Sequence, residues 1–201
     1  MTNIEKGAII LPEKTNGESA MELIEKTLKE NIVFEGKIIT VARDDILLPN
    51  GKTAFREIVK HTGGVCIAPI TDDGEFIFVR QFRYAYKEVL PELPAGKLEK
   101  GEEPLEAGKR ELEEETGFVA DRYTDLGKFY PSPGYCGETI YLYAATGLRS
   151  TRMHLDEDEF LEVERIPCEK ALEMVLSGEI KDGKTQTIVL KVAELMRRGE
   201  I

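Results

Sequence analysis

The residues best suited to chemistry are three glutamates in one short segment, Glu111, Glu114 and Glu115. If the segment is helical, their spacing of three and four residues places the carboxylates on one face. Carboxylates that close together repel one another, and a fold gains nothing from that arrangement alone. A hard divalent cation such as Mg²⁺ takes oxygen ligands and is commonly held by a few carboxylates together with substrate phosphates. The pattern therefore predicts a metal-binding helix suited to phosphate chemistry.

The helix that presents these carboxylates has a marked beginning and end. Pro104 suits the first helical position, and Gly117 suits a left-handed C-terminal cap. Gly108 lies inside the helix at a cost of about 1 kcal/mol relative to alanine, which indicates close packing at that position. Glu113, by contrast, is interpreted as a solvent-facing residue paired with Lys109 one turn earlier.

The charge of the whole chain fits this interpretation only if a cation is bound. The 201 residues carry a formal net charge of −11, which disfavours binding to the backbone of nucleic acids. A bound divalent ion is often the largest local charge in its site and makes an acidic protein compatible with an anionic substrate. No apolar run reaches the roughly 20 residues needed to span a bilayer, so no membrane partner is expected.

The cysteines indicate a reducing compartment. Cys66, Cys136 and Cys168 are odd in number and lack the CxxC spacing of zinc sites. The first residues do not have the pattern of a secretory signal, so a cytoplasmic protein is predicted. Cys136 is interpreted as a spectator, since a thiol nucleophile would need an activating base.

Before the acidic helix, the sequence predicts two strand pairs. Asn50-Gly51 lies between two apolar runs, a strong hairpin signal that pairs residues 37–48 with residues 53–61. Residues 65–70 and 75–82 form the second predicted pair, joined by a polar turn that ends in glycine.

Strands and helices are mixed along the remaining chain. Residues 21–30 are ambiguous, because their apolar residues fit a helical face but a strand-like run follows directly. After the acidic helix, a strand is predicted at 139–145 and helices near 168–176 and 185–198. This order is typical of a mixed α/β sandwich and not of a Rossmann-type sheet.

The acidic segment resembles the Nudix box, whose pattern is G-x5-E-x7-R-E-U-x-E-E-x-G-U with U an apolar residue. All nine fixed positions are filled within residues 96–118, far more than chance supplies. The residues that fill them are Gly96, Glu102, Arg110, Glu111, Leu112, Glu114, Glu115, Gly117 and Phe118. The resemblance implies a mixed sheet with helices on both sides, an α/β/α sandwich, and hydrolysis of a nucleoside diphosphate linked to another group.

The same resemblance implies a set of metal ligands. Glu111, Glu114 and Glu115 are the implied carboxylate ligands. The carbonyl of Ala95, just before the box, completes the site in similar proteins. The implied cofactor is Mg²⁺, for which Mn²⁺ can substitute.

Other residues of the box are implied to be structural. Glu102 pairs with Arg110 and orders the loop before the helix, while Gly96 and Gly117 complete the motif at either end. In this interpretation all four residues are structural parts of the motif, and Glu102 has a secondary role.

A second resemblance narrows the substrate to ADP-ribose. Pro133 follows Gly117 by sixteen residues, in an S-P-G sequence that precedes Glu138, as in the bacterial ADP-ribose pyrophosphatases of the family. Residues 26–165 resemble that subfamily almost throughout. The implied reaction yields AMP and ribose 5-phosphate. Hydrolysis of a GDP- or UDP-sugar is the alternative, and a non-catalytic sensor of ADP-ribose ranks lower.

The resemblance also implies a general base on a loop after the box. The matching stretch is 155–160, in which Glu157 is the best base and Glu159 the better further metal contact, although two neighbouring acids can exchange roles. Without the resemblance, such a charge run is interpreted as a solvated loop. The residues implied to contact the substrate are Arg56, Glu57, Arg83, Pro133 and Glu138.

The chain is predicted to have three parts and to form a homodimer. Residues 1–20 are a weakly ordered leader, residues 21–61 an N-terminal β arm that dimerises, and residues 62–201 the Nudix hydrolase domain. A lone hairpin is marginal in water and needs another surface to cover it. Similar pyrophosphatases exchange this arm between subunits, which implies that Arg56 reaches the neighbouring site of a two-fold pair.

Overall fold

The computed structural model describes residues 23–155 and 160–201. The leader assigned to residues 1–20 therefore lies outside the described residues, as do the acids Glu157 and Glu159. The described chain forms three β-sheets and three helices.

The N-terminal arm is an antiparallel sheet of four strands, β1 (Lys26–Lys29), β2 (Ile32–Glu35), β3 (Thr40–Leu47) and β4 (Thr53–Lys60). β3 pairs with β4 along its whole length, while β1 and β2 follow its other edge. The predicted hairpin around Asn50-Gly51 is confirmed, and Gly51 has a φ of 79°, a conformation that favours glycine. The stretch that was ambiguous in the sequence contains β1, a strand.

Seven further strands follow, β5 (Gly64–Pro69), β6 (Glu75–Arg83), β7 (Glu88–Glu92), β8 (Ala95–Lys97), β9 (Phe118–Phe129), β10 (Ile140–Ser150) and β11 (Leu161–Pro167). One sheet is mixed and has the strand order β8-β5-β10-β9, in which β5 and β10 run parallel. The other is antiparallel and has the order β11-β6-β7.

Helices pack on both faces of the mixed sheet: α1 (Pro104–Thr116), α2 (Cys168–Ser177) and α3 (Gly183–Arg198). On β5, Val65 and Ile67 belong to the core beneath α1, whereas Cys66 and Ala68 belong to the core shared with α2 and α3. Successive side chains of a strand point to opposite faces, so β5 is covered on both sides. The expected α/β/α sandwich is confirmed. Among the described helices, none is both long and apolar enough to cross a membrane.

One predicted strand pair is wrong. β5 and β6 were expected to form a hairpin, but they belong to different sheets, and Ile70, just after β5, forms an isolated bridge with Phe76. All six residues of β5 are buried, which suits a central strand with a neighbour on each side. β5 therefore lies between β8 and β10, while β6 pairs with β7 and β11.

Helix α1 begins at the predicted proline and ends at the predicted glycine. Gly117 has a φ of 69°, and its N–H donates to the carbonyl of Glu113. A side chain at Gly117 would also come within 3.0 Å of the backbone of Met153, so both conformation and space require glycine. Gly108 packs closely as expected, since an added methyl carbon would lie 3.2 Å from Val65. This contact sets α1 tightly against β5.

Candidate active site

Helix α1 lies beside a cavity of about 1230 Å³, somewhat larger than the roughly 300–1,000 Å³ of common ligand pockets. The cavity is lined by α1, β8, the end of β6 and the first turn of α3. Glu111, Glu114 and Glu115 line it together, and we call these three residues the acidic wall. The predicted convergence of these carboxylates on one face is therefore observed.

Glu115 is the most deeply buried member of the acidic wall, with 2% of its surface exposed. Its Oε2 accepts a hydrogen bond of 3.0 Å from the backbone N–H of Ala95. This bond ties the last turn of α1 to β8. The two residues, both expected to contact metal, consequently lie side by side.

Glu111 packs directly against the backbone of Gly96. The glutamate is buried, and a methyl group on Gly96 would lie only 1.8 Å from its Oε1. No real side chain tolerates such a contact, so the carboxylate occupies this position only because residue 96 has no Cβ. Gly96 therefore makes room for one member of the acidic wall.

Arg110 connects the acidic wall to the loop before the helix. Its Nη1 donates to Oε1 of Glu111 and to Oε2 of Glu114, each at 2.8 Å. Its Nε donates to Glu102 at 3.0 Å, so the expected ion pair is present, and this bond lowers the pKa of Glu102. Glu102 also accepts a hydrogen bond of 2.9 Å from the backbone N–H of Glu99, which orders the loop.

The donor chemistry of the acidic wall fits a hard divalent cation. Its three side chains offer only carboxylate oxygens, and Ala95, which lines the same cavity, has a backbone carbonyl oxygen as well. Within residues 23–155 and 160–201, no three acidic, histidine or cysteine side chains are gathered tightly enough to form a metal centre by themselves. Because Arg110 donates to Glu111 and Glu114, a cation has to compete with it for their oxygens.

Glu113, which was expected to be exposed and paired with Lys109, has other partners. It accepts a hydrogen bond of 2.9 Å from Thr151, while Lys109 donates to Glu106 at 2.7 Å. The predicted pair is therefore wrong, because Lys109 pairs with Glu106 and Glu113 bonds to Thr151. Glu113 does not line the cavity in the described chain.

A second cluster of charged residues borders the cavity. Of its members, only Arg83 was predicted from the sequence to contact the substrate. Arg83 donates its Nε and Nη2 to the carboxylate of Glu92 at 2.6 and 2.7 Å. Nζ of Lys184 lies 2.5 Å from the same carboxylate and 3.0 Å from Asp182. Burial disfavours the charge of Glu92, but its two cationic partners outweigh burial and hold its pKa below the ordinary value. We call Arg83, Glu92, Asp182 and Lys184 the Lys184 cluster.

The first turn of α3 is bonded to the segment between β7 and β8. Asp182 caps the helix by accepting a hydrogen bond of 2.9 Å from the N–H of Thr185. Oγ1 of Thr185 in turn accepts a hydrogen bond of 2.9 Å from the N–H of Leu93. Leu93 lies between Glu92 and Ala95, so α3 helps to position both sides of the cavity.

The remaining substrate contacts expected from the sequence are divided between the cavity and the N-terminal arm. Glu138 lines the cavity, with its Oε1 3.5 Å from Nδ1 of His61. Arg56 and Glu57 lie on β4, outside the described residues that line the cavity. Arg56 instead forms an ion pair with Glu25 of its own chain.

The loop that contains the expected Pro133 joins these two regions. Pro131 and Ser132 line the cavity, whereas Pro133 is not among the described lining residues. The N–H of Val59 on β4 donates to the carbonyl of Tyr135 at 2.7 Å. The loop therefore connects the cavity to the arm.

The fold and the donor chemistry of the acidic wall fit a class of protein, the α/β/α hydrolases that act on phosphate groups with the help of a divalent cation. The sequence profile of the NUDIX domain matches residues 60–185, and that of the nucleoside diphosphate sugar hydrolase N-terminal domain matches residues 25–59. This chain belongs to the Nudix family and is a Nudix hydrolase.

Named relatives cover most of the chain. An ADP-ribose pyrophosphatase of Bacillus subtilis (strain 168) is 47% identical over 165 residues, which are 81% of this chain and 89% of that protein. A methanol dehydrogenase activator of Bacillus methanolicus is 42% identical over 163 residues, 80% of this chain and 88% of that protein. The solved structure of an ADP compounds hydrolase matches with a TM-score of 0.79 at 24% identity, covering 92% of this chain and all of that one. This last likeness concerns the fold.

Proposed function

We propose that this chain hydrolyses the pyrophosphate bond of ADP-ribose and releases AMP and ribose 5-phosphate. The observation that carries the proposal is the acidic wall, whose three carboxylates line one cavity together with Ala95. The cavity of about 1230 Å³ has room for a ligand of nucleotide-sugar size. The similarity to an ADP-ribose pyrophosphatase of B. subtilis supports the choice of substrate.

The proposed reaction requires charge neutralisation, an attacking water and a base. Mg²⁺, or Mn²⁺ in its place, held by the acidic wall and the carbonyl of Ala95, would neutralise charge on the phosphate oxygens. Glu157 takes a proton from the attacking water, whose oxygen bonds to one phosphorus as the bridging P–O bond breaks. Attack at either phosphorus gives the same two products, and hydrolysis in oxygen-labelled water distinguishes the two routes.

A substrate panel tests the proposed function directly. The purified protein is assayed for hydrolysis of ADP-ribose, GDP-mannose and UDP-glucose, with Mg²⁺ and with EDTA. We expect turnover only with metal and the highest kcat/KM for ADP-ribose. A GDP- or UDP-sugar that ranks well above ADP-ribose would favour the alternative, which the matching nucleoside diphosphate sugar hydrolase profile supports. Binding of ADP-ribose without turnover would identify a sensor.

The choice of base is tested by two matched substitutions. Glu157→Gln is expected to lower kcat by about a hundredfold or more. Substrate affinity should change little, because a general base acts mainly in the transition state. Glu159→Gln is the comparison, and a larger loss of kcat in that variant would reverse the two assignments.

We also propose a homodimer formed through the N-terminal arm. The arm exposes large apolar side chains, namely Leu28, Ile32, Val33, Phe34 and Phe55. Exposed apolar side chains favour association, and a closed two-fold pair is the commonest oligomer. Arg56 and Glu57 would then serve the cavity of the second copy, since they lie outside the cavity of their own chain.

Light scattering is expected to give a mass near twice the 22.6 kDa of the chain. Mixing an Arg56→Ala chain with a Glu115→Gln chain should restore part of the activity, because one composite site then contains both native residues. A fully active monomer would contradict the dimer. If the protein is a dimer but mixing restores no activity, the dimer proposal stands and the proposed role of Arg56 in a shared site is wrong.

The cytoplasm is the compartment we propose for this reaction. Cys66, Cys136 and Cys168 are all free thiols in the structure, as is usual in a reducing environment. The proposed partner is a small nucleotide-sugar substrate, and the acidic surface argues against nucleic acid.

A further inference from the structure

A largely buried lysine at the start of α3 has no role in the proposed reaction. Lys184 lines the cavity, yet only 11% of its side chain is exposed. Lysine is mostly exposed in folded proteins, and those that lose nearly all of their exposure are paired; Lys184 contacts both Glu92 and Asp182. Burial opposes its charge, but these two carboxylates outweigh burial and raise the pKa of Lys184 above its ordinary value. The side chain is therefore a cation at neutral pH.

The position of Arg83 depends on Glu92. The pair is bidentate, a geometry that fixes the orientation of a guanidinium, and it joins a carboxylate that is 2% exposed to an arginine side chain that is 38% exposed. The pair with Glu92 uses Nε and Nη2 of Arg83. Within residues 23–155 and 160–201, the remaining nitrogen, Nη1, donates to no acceptor on another residue. Arg83 thus retains one nitrogen to offer to an anion in the cavity.

Bonds other than those of Lys184 also hold α3 in place. The helix is already anchored by the cap of Asp182 on Thr185 and by the bond from Leu93 to Thr185. The side chain of Lys184 acts instead on the carboxylate beneath Arg83, where it supplies a second cationic partner. With Lys184 present, the cluster has two cations and two carboxylates. Without it, the cluster has one excess negative charge, which would repel a phosphate.

We propose that Lys184 is a positioning residue, which fixes the carboxylate of Glu92 and so holds the guanidinium of Arg83 in the orientation that binds the pyrophosphate of the substrate. The inference rests on the proposed function and adds to it a residue from the last helix of the described chain. Its action passes through Arg83, so the effects of changing Lys184 and Arg83 are coupled.

A double-mutant cycle on ligand binding tests this coupling. The Kd of ADP-ribose is measured by calorimetry in EDTA for the native chain, Arg83→Met, Lys184→Met and the double variant. Each single change is expected to weaken binding about tenfold, and the double variant should be within about twofold of Arg83→Met. Fully additive losses, about a hundredfold in the double variant, would show independent roles and overturn the proposal. Native-like binding by Lys184→Met would also overturn it.

Lys181→Met is the matched control. Lys181 lies three residues before Lys184 and pairs with Glu88 at 2.5 Å, but its side chain is 56% exposed and outside the cavity lining in the described chain. We expect its Kd to equal that of the native chain. Equal losses in the Lys181 and Lys184 variants would indicate a general charge effect and would overturn the positioning role.

A charge-balanced variant covers the case in which Lys184→Met does not fold. Asp182→Asn with Lys184→Gln removes one charge of each sign, and asparagine caps helices as well as aspartate does. Once calorimetric melting shows that it is folded, this variant should also bind about tenfold more weakly, because Glu92 has lost its second partner. Native-like binding would overturn the proposal.

The test separates this inference from the proposed substrate. If the native chain binds a GDP- or UDP-sugar instead of ADP-ribose, the substrate proposal fails and the same cycle is measured with that pyrophosphate ligand. Coupling between Lys184 and Arg83 would then uphold the positioning role. A native chain that binds no pyrophosphate-containing ligand would overturn both proposals.

Discussion

The acidic wall and the Lys184 cluster border the same cavity but balance their charges differently. In the acidic wall, Glu111 and Glu114 share the guanidinium of Arg110, which also pairs with Glu102. Among these residues, carboxylates outnumber cations. The Lys184 cluster contains as many cations as carboxylates. Grouped carboxylate oxygens are the ligands that a hard divalent cation takes, whereas the Lys184 cluster holds charges of both signs in contact, an arrangement that fixes its geometry.

The largest effect is expected from removing charge in the acidic wall. Glu111→Gln or Glu115→Gln keeps the shape of the side chain but removes a ligand charge, and kcat should fall by at least about a hundredfold. The protein should remain folded, because the amide oxygen of glutamine can still accept the hydrogen bonds from Arg110 and from the N–H of Ala95. Glu113→Gln is the control on the same helix and should change kcat little. Near-normal turnover in both ligand variants would contradict the comparison.

The next effect is expected on stability, from the Lys184 cluster. Glu92→Gln leaves the charges of Arg83 and Lys184 without their shared carboxylate, and the free energy of unfolding should fall by about 2 kcal/mol. Glu88→Gln, on the same strand, removes an exposed pair with Lys181 and should cost less than about 1 kcal/mol. Urea unfolding measures both variants, and equal losses would contradict the distinction.

The same variant should alter the pH dependence of stability. The pKa of Glu92 is held below its ordinary value of 4.5 in the folded protein. Its ionised pair therefore stabilises the fold above the unfolded pKa, and this stabilisation is lost as pH falls through the lowered pKa. The native chain should lose more stability between pH 7 and the acid range than Glu92→Gln does, a difference that urea titrations at several pH values can measure.

A smaller effect is expected where the acidic wall meets the backbone. Gly96→Ala places a methyl carbon where the Glu111 carboxylate now lies, 1.8 Å from Oε1. The flexible end of the glutamate can move away, so stability should change little while kcat falls about tenfold. Gly108→Ala is the control, because its methyl group meets Val65 in the core. That change should alter the melting temperature and leave kcat within about twofold.

The acidic wall could be predicted from sequence because all its members belong to one helix. In a helix, their spacing places the three carboxylates on one face, and Pro104 and Gly117 mark where the helix begins and ends. The hairpin at Asn50-Gly51 and the helices α2 and α3 were predictable for the same reason, since local residues determine them.

The Lys184 cluster could not be predicted in this way. Arg83, Glu92 and Lys184 come from three separate segments, and a lysine at a helix start is usually solvated. The misassigned pairing of β5 with β6 has the same cause. The turn between them is a local signal, but the parallel partner of β5, which begins at Ile140 opposite Gly64, is far away in sequence. Choice among distant partners depends on which arrangement buries the most apolar surface.

The hydrogen bond between Thr185 and Leu93 joins residues 92 positions apart, and it has a consequence for biosynthesis. A ribosome delivers Glu92 and the acidic wall long before it delivers α3. Until then, Glu92 lacks Lys184, and the core face that α3 covers, which includes Cys66 and Leu142, is open to solvent. Exposed apolar surface of this kind is what chaperones and proteases act on in unfinished chains. Full-strength binding of pyrophosphate would therefore require α3, which is made long after the acidic wall.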